Sequence, residues 1–275
     1  IGGSTNGLVH LTAMAGRLGI TIDLIKFDEI TKNLPMIVDL KPSGTGYMED
    51  LYKAGGSQRI FYELKDFLYL DAKSVNGTTL GEEIKNSAKW TQNVITDKSN
   101  PVFNAGSIAV LKGTLAPNSA IIKQSAATES LLIHEGRAVV FEGLEDLANR
   151  IDRDDLDVTK DDVLVLKSIG PKGGPGMPEA GLIPIPKKLA KQGVKDMVRI
   201  SDGRMSGTAS GTIILHVTPE SYENGPLAIV ENGDLIKLDV PKRKIDLMIS
   251  EEEIAERLLK RKELSIRRRG YNKIY

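Results

Sequence analysis

The chain has 275 residues, of which 40% are hydrophobic and 27% charged, a composition typical of a soluble globular protein. Lysine plus arginine balances aspartate plus glutamate at 37 each, so net charge gives no reason to expect a nucleic acid or an anionic membrane as partner. The absence of cysteine excludes disulfides, thiol nucleophiles and thiolate metal ligands within the chain. No apolar run approaches the roughly 20 residues of a membrane span and no signal peptide is visible, so we expect a cytoplasmic protein.

Helical patterns alternate with a short strand in the first part of the chain. Thr5 or Asn6 can cap a first helix, in which apolar residues recur at helical spacing until about Gly19. The pattern then predicts a helix over 27–34, a short strand over 36–40, and a helix over 48–70 that is broken at Gly55 and Gly56. This alternation is typical of an α/β domain.

A polar, turn-rich segment at 97–106 indicates a domain boundary, and strand patterns dominate after it. We predict strands over 108–111, 120–123, 138–141, 163–166, 197–200, 212–216, 227–230, 235–239 and 245–249. Helices are predicted over 144–151, 185–192 and 251–264. The expected fold class is α/β, in which the end of an N-terminal α/β domain (1–100) is followed by a β-rich, barrel-like domain (101–275).

The segment from Gly170 to Gly176 contains four glycines and two prolines, which suits a rigid loop that approaches a ligand better than a packed helix or strand. Glu179 follows this loop directly, and Ser206 stands between Met205 and Gly207 on a second loop with glycine. A nucleotide-binding loop is a poor match, because Glu179 occupies the third glycine position of that motif. Without further information Glu179 is better explained by an exposed structural carboxylate than by a ligand of a hard cation.

The histidines offer no alternative catalytic group. A serine–histidine–aspartate triad cannot be argued, since none of His10, His134 and His216 has a triad-like context. His10 lies one helical turn after Asn6 and could face a site, and His216 ends an apolar strand pattern. For each of them a structural role is the simpler prediction.

Five segments together resemble one enzyme family. The segments 2–6, 39–44, 48–51, 170–179 and 201–207 look like the motifs of the dehydratases that act on dihydroxy acids, phosphogluconate and sugar acids, in the same order along the chain. The resemblance covers essentially the whole chain. It implies a hydro-lyase that converts a 2,3-dihydroxy carboxylic acid into a 2-keto-3-deoxy acid, and it implies a swivelling β/β/α domain for residues 101–275.

The resemblance also implies roles for individual residues. By position in the motifs, Glu179 matches a ligand of the catalytic Mg²⁺, and Ser206 matches a serine that acts as alkoxide base. Thr208 is then a substrate-binding candidate, and Arg204 and Lys172 are supporting cations. The substrate-binding set further includes Ser4, Thr5 and Asn6 at a helix N-terminus, although these three residues could equally do no more than cap the helix.

Family members hold an iron–sulfur cluster, expected here to be of the 2Fe-2S type, through three cysteines upstream of the Gly2–Asn6 motif. This sequence begins one residue before that motif, without methionine and without cysteine. We therefore expect the C-terminal half of a longer enzyme, inactive by itself. A stand-alone subunit without catalytic activity is the alternative.

The substrate is the least determined feature. Residues 177–189 resemble the arabinonate and xylonate dehydratases, which favours a small polyhydroxy acid. The alternative is dihydroxy-acid dehydratase of branched-chain amino-acid biosynthesis, which would need an apolar pocket for the methyl groups of its substrate. The family suggests a homodimer or a homotetramer.

Overall fold

The computed structural model describes residues 1–87, 92–174 and 176–261. They form two compact units. The first comprises Ile1–Gly3 and Glu29–Ser107, and the second comprises Ser4–Asp28 and the described chain from Ile108 onward. The domain limits expected from the sequence, 1–100 and 101–275, stay a prediction.

The elements alternate along the chain much as the sequence predicts. The helices are α1 (Thr5–Arg17), α2 (Leu24–Thr31), α3 (Met48–Lys53), α4 (Gly56–Glu63), α5 (Leu80–Ile84), α6 (Leu144–Arg150), α7 (Lys187–Lys191) and α8 (Glu251–Leu259). The strands are β1 (Ala109–Leu111), β2 (Ser119–Ile122), β3 (Ile133–Phe141), β4 (Val163–Leu166), β5 (Arg199–Ser201), β6 (Ile213–Thr218), β7 (Leu235–Asp239) and β8 (Lys244–Leu247). None of the helices within the described ranges has the length and apolar character to cross a membrane.

Short helices surround a small apolar core in the first unit. The helix predicted over 48–70 is divided between α3 and α4, because Gly55 adopts a left-handed φ of 104° at the predicted break. The strand predicted over 36–40 is not a regular strand: Met36, Val38 and Leu40 each make an isolated bridge. The core consists of Ile37, Val38, Ala54, Ile60, Leu64 and Ile95.

An eight-stranded, nearly closed sheet forms the second unit. The strand order is β1-β2-β6-β5-β4-β3-β7-β8. The four middle strands, β6, β5, β4 and β3, are parallel to one another, while the outer pairs are antiparallel. A bridge between Lys112 and Lys244 joins the two ends, with Lys112 N donating to Arg243 O at 3.0 Å. The predicted combination of an α/β chain with a β-rich, barrel-like part is thus confirmed.

The sheet is buried on both faces at its parallel centre, which explains why β4 is apolar without interruption. All four residues of β4 are buried, and they alternate between two cores. Val163 and Val165 point into the barrel core, whereas Leu164 and Leu166 pack on the outer side, where α6 and α7 contribute Leu147 and Leu189. Replacing a single β4 residue by a charged one would therefore disturb one of two separate cores.

Two further predicted elements differ from the structure. Residues 227–230 were expected as a strand, but Pro226–Ile229 form a 3-10 turn, because proline begins a helical turn readily and lacks the amide that a strand ladder needs. The last helix ends at Leu259, while residues 262–264 of its predicted range lie outside the described residues.

Candidate active site

The two predicted site loops begin at the same edge of the sheet. The glycine-rich loop follows β4 and the loop with Ser206 follows β5, and these strands are parallel neighbours that pair Leu166 with Ser201. The carboxyl ends of parallel strands meet at one edge, where open α/β sheets commonly bind ligands. The topology therefore brings together two segments that are far apart in sequence.

A short antiparallel contact joins the two loops beyond the strands. Ala180 bridges to Met205, and Gly181 N donates to Arg204 O at 2.8 Å. In this register Glu179 and Ser206 are the next residues to face each other, and directly opposite residues of an antiparallel pair carry neighbouring side chains. The predicted carboxylate and the predicted serine thus lie on adjacent positions of one small backbone scaffold.

Glu179 is held by two donors from different elements. Arg204 Nη1 lies 2.6 Å from Glu179 Oε1, and Asn6 Nδ2 donates to the same oxygen at 3.4 Å. Arg204 Nε donates to Met177 O at 2.8 Å, which fixes the guanidinium. The Glu179 side chain is still 41% exposed, so its carboxylate is oriented but open to a ligand.

The N-terminus of α1 belongs to the same cluster. Ser4 caps the helix by accepting a hydrogen bond from Asn6 N at 3.2 Å, and Asn6 Nδ2 also donates to Met205 O at 3.0 Å. Asn6 Oδ1 is buried and has no hydrogen-bond partner among the described residues. A Cβ on Gly207 would lie 3.2 Å from Ser4 Oγ, which shows how closely the Ser206 loop approaches the cap. Ser4 therefore caps the helix and also lies beside the loop.

Ser206 is half-buried, and its nearest described polar neighbour is Thr208. Their hydroxyl oxygens are 3.1 Å apart, and Thr208 N lies 3.5 Å from Ser206 Oγ. Thr208 is exposed, so its hydroxyl can contact both Ser206 and a ligand. The predicted residues Ser206 and Thr208 form one hydroxyl pair.

Two predicted site residues are placed differently from the others. Thr5 is 1% exposed, and its burial in the first turn of α1 suits packing within the fold. The Lys172 ammonium group pairs with Glu223, whereas Arg204 is the cation that pairs with Glu179. In the structure, Arg204 alone of the two predicted supporting cations contacts the Glu179 carboxylate.

Two buried carboxylates hold the glycine-rich loop, and the sequence interpretation missed both. Asp202 accepts hydrogen bonds from the amides of Ser168 and Ile169 at 3.2 and 3.0 Å. Glu220 accepts from the amides of Lys172 and Gly173 at 2.9 and 3.0 Å. Burial raises the pKa of Asp202, and it raises the pKa of Glu220 to about 7 despite these hydrogen bonds. Their signal in the sequence is an acidic residue one or two positions after a buried strand.

His216 is a buried imidazole in a strained backbone position. It lies in β6 with a φ of 52°, and its Nε2 has no hydrogen-bond partner within the described part of the chain. Burial, together with the nearby charges of His10 and Arg204, lowers the pKa of His216 to about 4. His216 is therefore neutral at neutral pH. The fold also brings it close to His10, the histidine that lies one helical turn after Asn6.

His216 and Glu220 should have opposite effects on stability as pH falls. The depressed pKa of His216 contributes stability above pH 6.5 that is lost as pH falls toward 4. The raised pKa of Glu220 contributes stability below pH 4.5 that is lost as pH rises through about 7. Between pH 7 and 5 each contribution changes by about 2 kcal/mol, with opposite sign.

We expect single substitutions to reveal these hidden dependences. Glu220→Gln should lose about 2 kcal/mol of unfolding free energy between pH 7 and 5 relative to the parent chain, and His216→Asn should gain a similar amount. Asparagine is chosen because it tolerates a positive φ. Urea unfolding at several pH values measures both effects. Parallel pH curves for all three proteins would contradict the assigned titrations.

Two family models match successive parts of the chain. The model of the dihydroxy-acid/6-phosphogluconate dehydratase C-terminal domain matches residues 93–275, and the model of the N-terminal domain of the same family matches residues 1–83. The first of these matches alone covers more than half of the chain.

Three curated relatives illustrate the range of enzymes that the chain resembles. The chain is 48% identical over 260 residues to an L-arabinonate dehydratase of Rhizobium leguminosarum, covering 94% of this chain and 45% of the relative. It is 41% identical to a 6-deoxy-6-sulfo-D-gluconate dehydratase of Pseudomonas putida, in an alignment that covers 94% of this chain and 45% of the relative. It is 40% identical to a dihydroxy-acid dehydratase of Methanococcoides burtonii, with 98% and 49% covered. The chain spans about half the length of these relatives, and it belongs to the dihydroxy-acid/6-phosphogluconate dehydratase family.

Proposed function

We propose that the protein containing this chain is a hydro-lyase that removes water from a 2,3-dihydroxy sugar acid and forms a 2-keto-3-deoxy acid. The observation that carries the proposal is the pairing of the Glu179 and Ser206 loops, because it sets a hard carboxylate beside a hydroxyl base within a member of a dehydratase family. Relatives that carry sugar-acid names support the substrate class.

Mg²⁺ fits this site as an ion that protein and substrate oxygens would coordinate together. No group of three or more histidine, aspartate or glutamate side chains that could enclose a metal occurs among the described residues. Mg²⁺ nevertheless often takes only one or two protein carboxylates, with water and substrate oxygens as its other ligands. The exposed carboxylate of Glu179 suits this role, and Asn6, which donates to it, has a buried Oδ1 without a hydrogen-bond partner among the described residues. When bound, Mg²⁺ would acidify the C2 proton of the substrate by withdrawing charge from its carboxylate.

An iron–sulfur cluster does not fit the residues of this chain. The sequence has no cysteine to supply the thiolates that such clusters require. Thiolates for such a cluster would have to come from residues outside this sequence.

The residues of the chain have separate tasks in the proposed reaction. Arg204 and Asn6 orient the Glu179 carboxylate, and Asn6 and Ser4 present polar groups at a helix N-terminus, which suits an anionic substrate. Ser206 Oγ takes the proton from C2 of the substrate. The 3-hydroxyl group then leaves and takes this proton from Ser206 Oγ to form water, which restores the alkoxide, and the resulting enol tautomerises to the 2-keto acid.

Thr208 assists Ser206 in this step. A serine is a base only as an alkoxide, which needs donors and positive charge nearby. The hydroxyl and the amide of Thr208, 3.1 and 3.5 Å from Ser206 Oγ, are placed to stabilise negative charge on that oxygen. The positive end of the α1 dipole adds to this field, because Ser4 lies beside Gly207.

The substrate class is tested on the full-length protein, reconstituted anaerobically with iron, sulfide and Mg²⁺. We expect 2-keto acid to form from arabinonate or xylonate at a kcat/KM at least about tenfold above that for 2,3-dihydroxyisovalerate, since a site built for hydroxyl groups discriminates against analogues that lack them. Gluconate extends the comparison to a longer chain. A preference for dihydroxyisovalerate would instead support the second candidate, dihydroxy-acid dehydratase, a name carried by relatives at 40% identity. Failure to form keto acid from any of these substrates would contradict both.

A further inference from the structure

The glycine-rich loop owes its shape to the buried carboxylate of Glu220. Glu220 Oε1 accepts a hydrogen bond from Lys172 N at 2.9 Å, and Oε2 accepts from Gly173 N at 3.0 Å and from Lys172 N at 3.1 Å. A Cβ at Gly170 would lie 2.5 Å from Glu220 Oε2, so the loop passes directly over the carboxylate. Glu220 is 4% exposed, and a buried side chain that accepts several backbone amides has few other arrangements.

Hydrogen bonds, joined by short pieces of backbone, link Glu220 to the candidate active site. Gly174 O accepts from Met177 N at 2.9 Å, four residues beyond the amide of Gly173 that Glu220 holds. Met177 O accepts from Arg204 Nε at 2.8 Å, and Arg204 Nη1 bonds to Glu179 Oε1 at 2.6 Å. A displacement of the loop at Gly173 would therefore shift the carbonyl group that orients the Arg204–Glu179 pair.

We propose that Glu220 is a positioning residue of the dehydration, which holds the glycine-rich loop in its working shape and does so in its carboxylate form. The inference rests on the proposed function, because the pair that it positions is the pair assigned to metal and substrate binding. Glu220 itself touches backbone amides and takes no part in proton transfer at the substrate.

The ionisation of Glu220 falls in the range where such a role can be measured. Its pKa is raised to about 7, first by burial and further by the negative charges of Asp202 and Glu223. The other charged groups around it are Lys172, which pairs with Glu223, and Arg261, whose guanidinium bonds to Ser221 O. A cleft of about 880 Å³ is lined by Glu220, Asp202 and Lys172, and it gives protons a route to the carboxyl group.

Protonation weakens the hold on the loop. A neutral carboxyl group makes hydrogen bonds about half as strong as those of a carboxylate, and one of its oxygens becomes a donor facing amide donors. The loop should therefore be held most firmly above pH 7, although burial of the ionised group costs folding free energy there. Such a conflict between stability and a functional arrangement is common at active sites.

Kinetics of the full-length holoenzyme are the first test. We expect the kcat of the parent to rise about tenfold from pH 6 to 8 with the ionisation of Glu220. Glu220→Gln should remove this rise and lower kcat about tenfold at pH 8, with KM changed by less than about threefold. Glu220→Asp should keep the rise, because it keeps the charge. Glu223→Gln is the matched control: it removes a neighbouring carboxylate that binds the Lys172 side chain and no loop amide.

Amide hydrogen exchange gives a readout that is independent of activity. At pH 8 the amides of Lys172 and Gly173 should exchange at least about tenfold faster in Glu220→Gln than in the parent and in Glu223→Gln. Global unfolding is excluded as the cause where the backbone amides of β4 and β5 exchange equally in the two proteins. Should Glu220→Gln fail to fold, the exchange of the Lys172 and Gly173 amides in the parent decides whether Glu220 holds the loop. This exchange is measured between pH 6 and 8 and compared with that of the Ile169 amide, which Asp202 holds.

The outcomes separate this inference from the proposed function. Equal exchange and equal pH profiles in the parent and Glu220→Gln would overturn the positioning role while leaving the dehydratase assignment intact. A parent without lyase activity, but with the expected exchange difference, would overturn the proposed function and retain Glu220 as the residue that shapes the loop.

Discussion

Replacing Ser206 by alanine is expected to lower the kcat of the full-length enzyme by at least about 10³-fold, because a general base in the transition state contributes about 10²–10⁴-fold and no other described side chain is hydrogen-bonded to take its place. Thr208 Oγ1 is the nearest described hydroxyl, but it lies at the exposed side of the pair. Single-turnover formation of keto acid measures the effect on the chemical step. The metal content and the far-ultraviolet circular dichroism of the variant should remain those of the parent.

Ser210→Ala is the matched control for this experiment. Ser210 is an exposed serine on the same loop, four residues after Ser206. Its replacement should leave kcat within about twofold of the parent, as expected for a surface substitution without partners. Near-normal turnover in Ser206→Ala would show that another group takes the C2 proton. Equal losses in both variants would point to general damage to the loop.

Replacing Gly113 by alanine is expected to destabilise the β-rich unit by about 3 kcal/mol, the upper part of the usual range for overpacking. Gly113 follows the bridge that joins the two ends of the sheet, and a Cβ there would lie 1.9 Å from Ile245 O and 2.3 Å from Asp246 Oδ1. The backbone oxygen belongs to β8 and cannot turn away as a side chain could. The closing contact between β1 and β8 would have to open.

Gly16→Ala provides the control for the glycine substitution. Gly16 lies in the last turn of α1, and a Cβ there meets no atom within 4 Å. Alanine should stabilise this position by up to about 1 kcal/mol, because glycine has a low helix propensity. Urea denaturation followed by the circular dichroism of the sheet compares the two variants. Equal stability of Gly113→Ala and the parent would contradict the closed arrangement of the sheet.

Several local features follow directly from the sequence because short-range physics decides them. Ser250 caps α8 with its side-chain oxygen, whereas the cap of α1 is Ser4, one residue before the predicted Thr5 or Asn6. The break at Gly55 and the turn at Gly233, with a φ of 92°, occur where glycine permits a left-handed backbone. The uninterrupted apolar run that becomes β4 reflects a sheet that is covered on both faces at this strand.

Short apolar runs without flanking alternation predict the type of secondary structure less reliably. Residues 227–230 are all buried, like those of β4, yet they belong to a 3-10 turn and its exit. A short apolar run indicates that a segment is buried, but it does not distinguish a core strand from a packed helical turn. The prediction failed there because it gave too little importance to Pro226 at the start of the run.

The sequence by itself determined the family, the β-rich character of the second half, and the candidate residues Glu179, Ser206 and Thr208, since motifs and burial patterns are local. Only the tertiary structure decided which groups meet: Arg204 rather than Lys172 contacts Glu179, and Glu220 holds a loop 47 residues before it in the chain. It also decided the proton affinities of His216 and Glu220. These properties depend on desolvation and on through-space distances, which arise when distant segments pack together and which no local pattern of residues encodes.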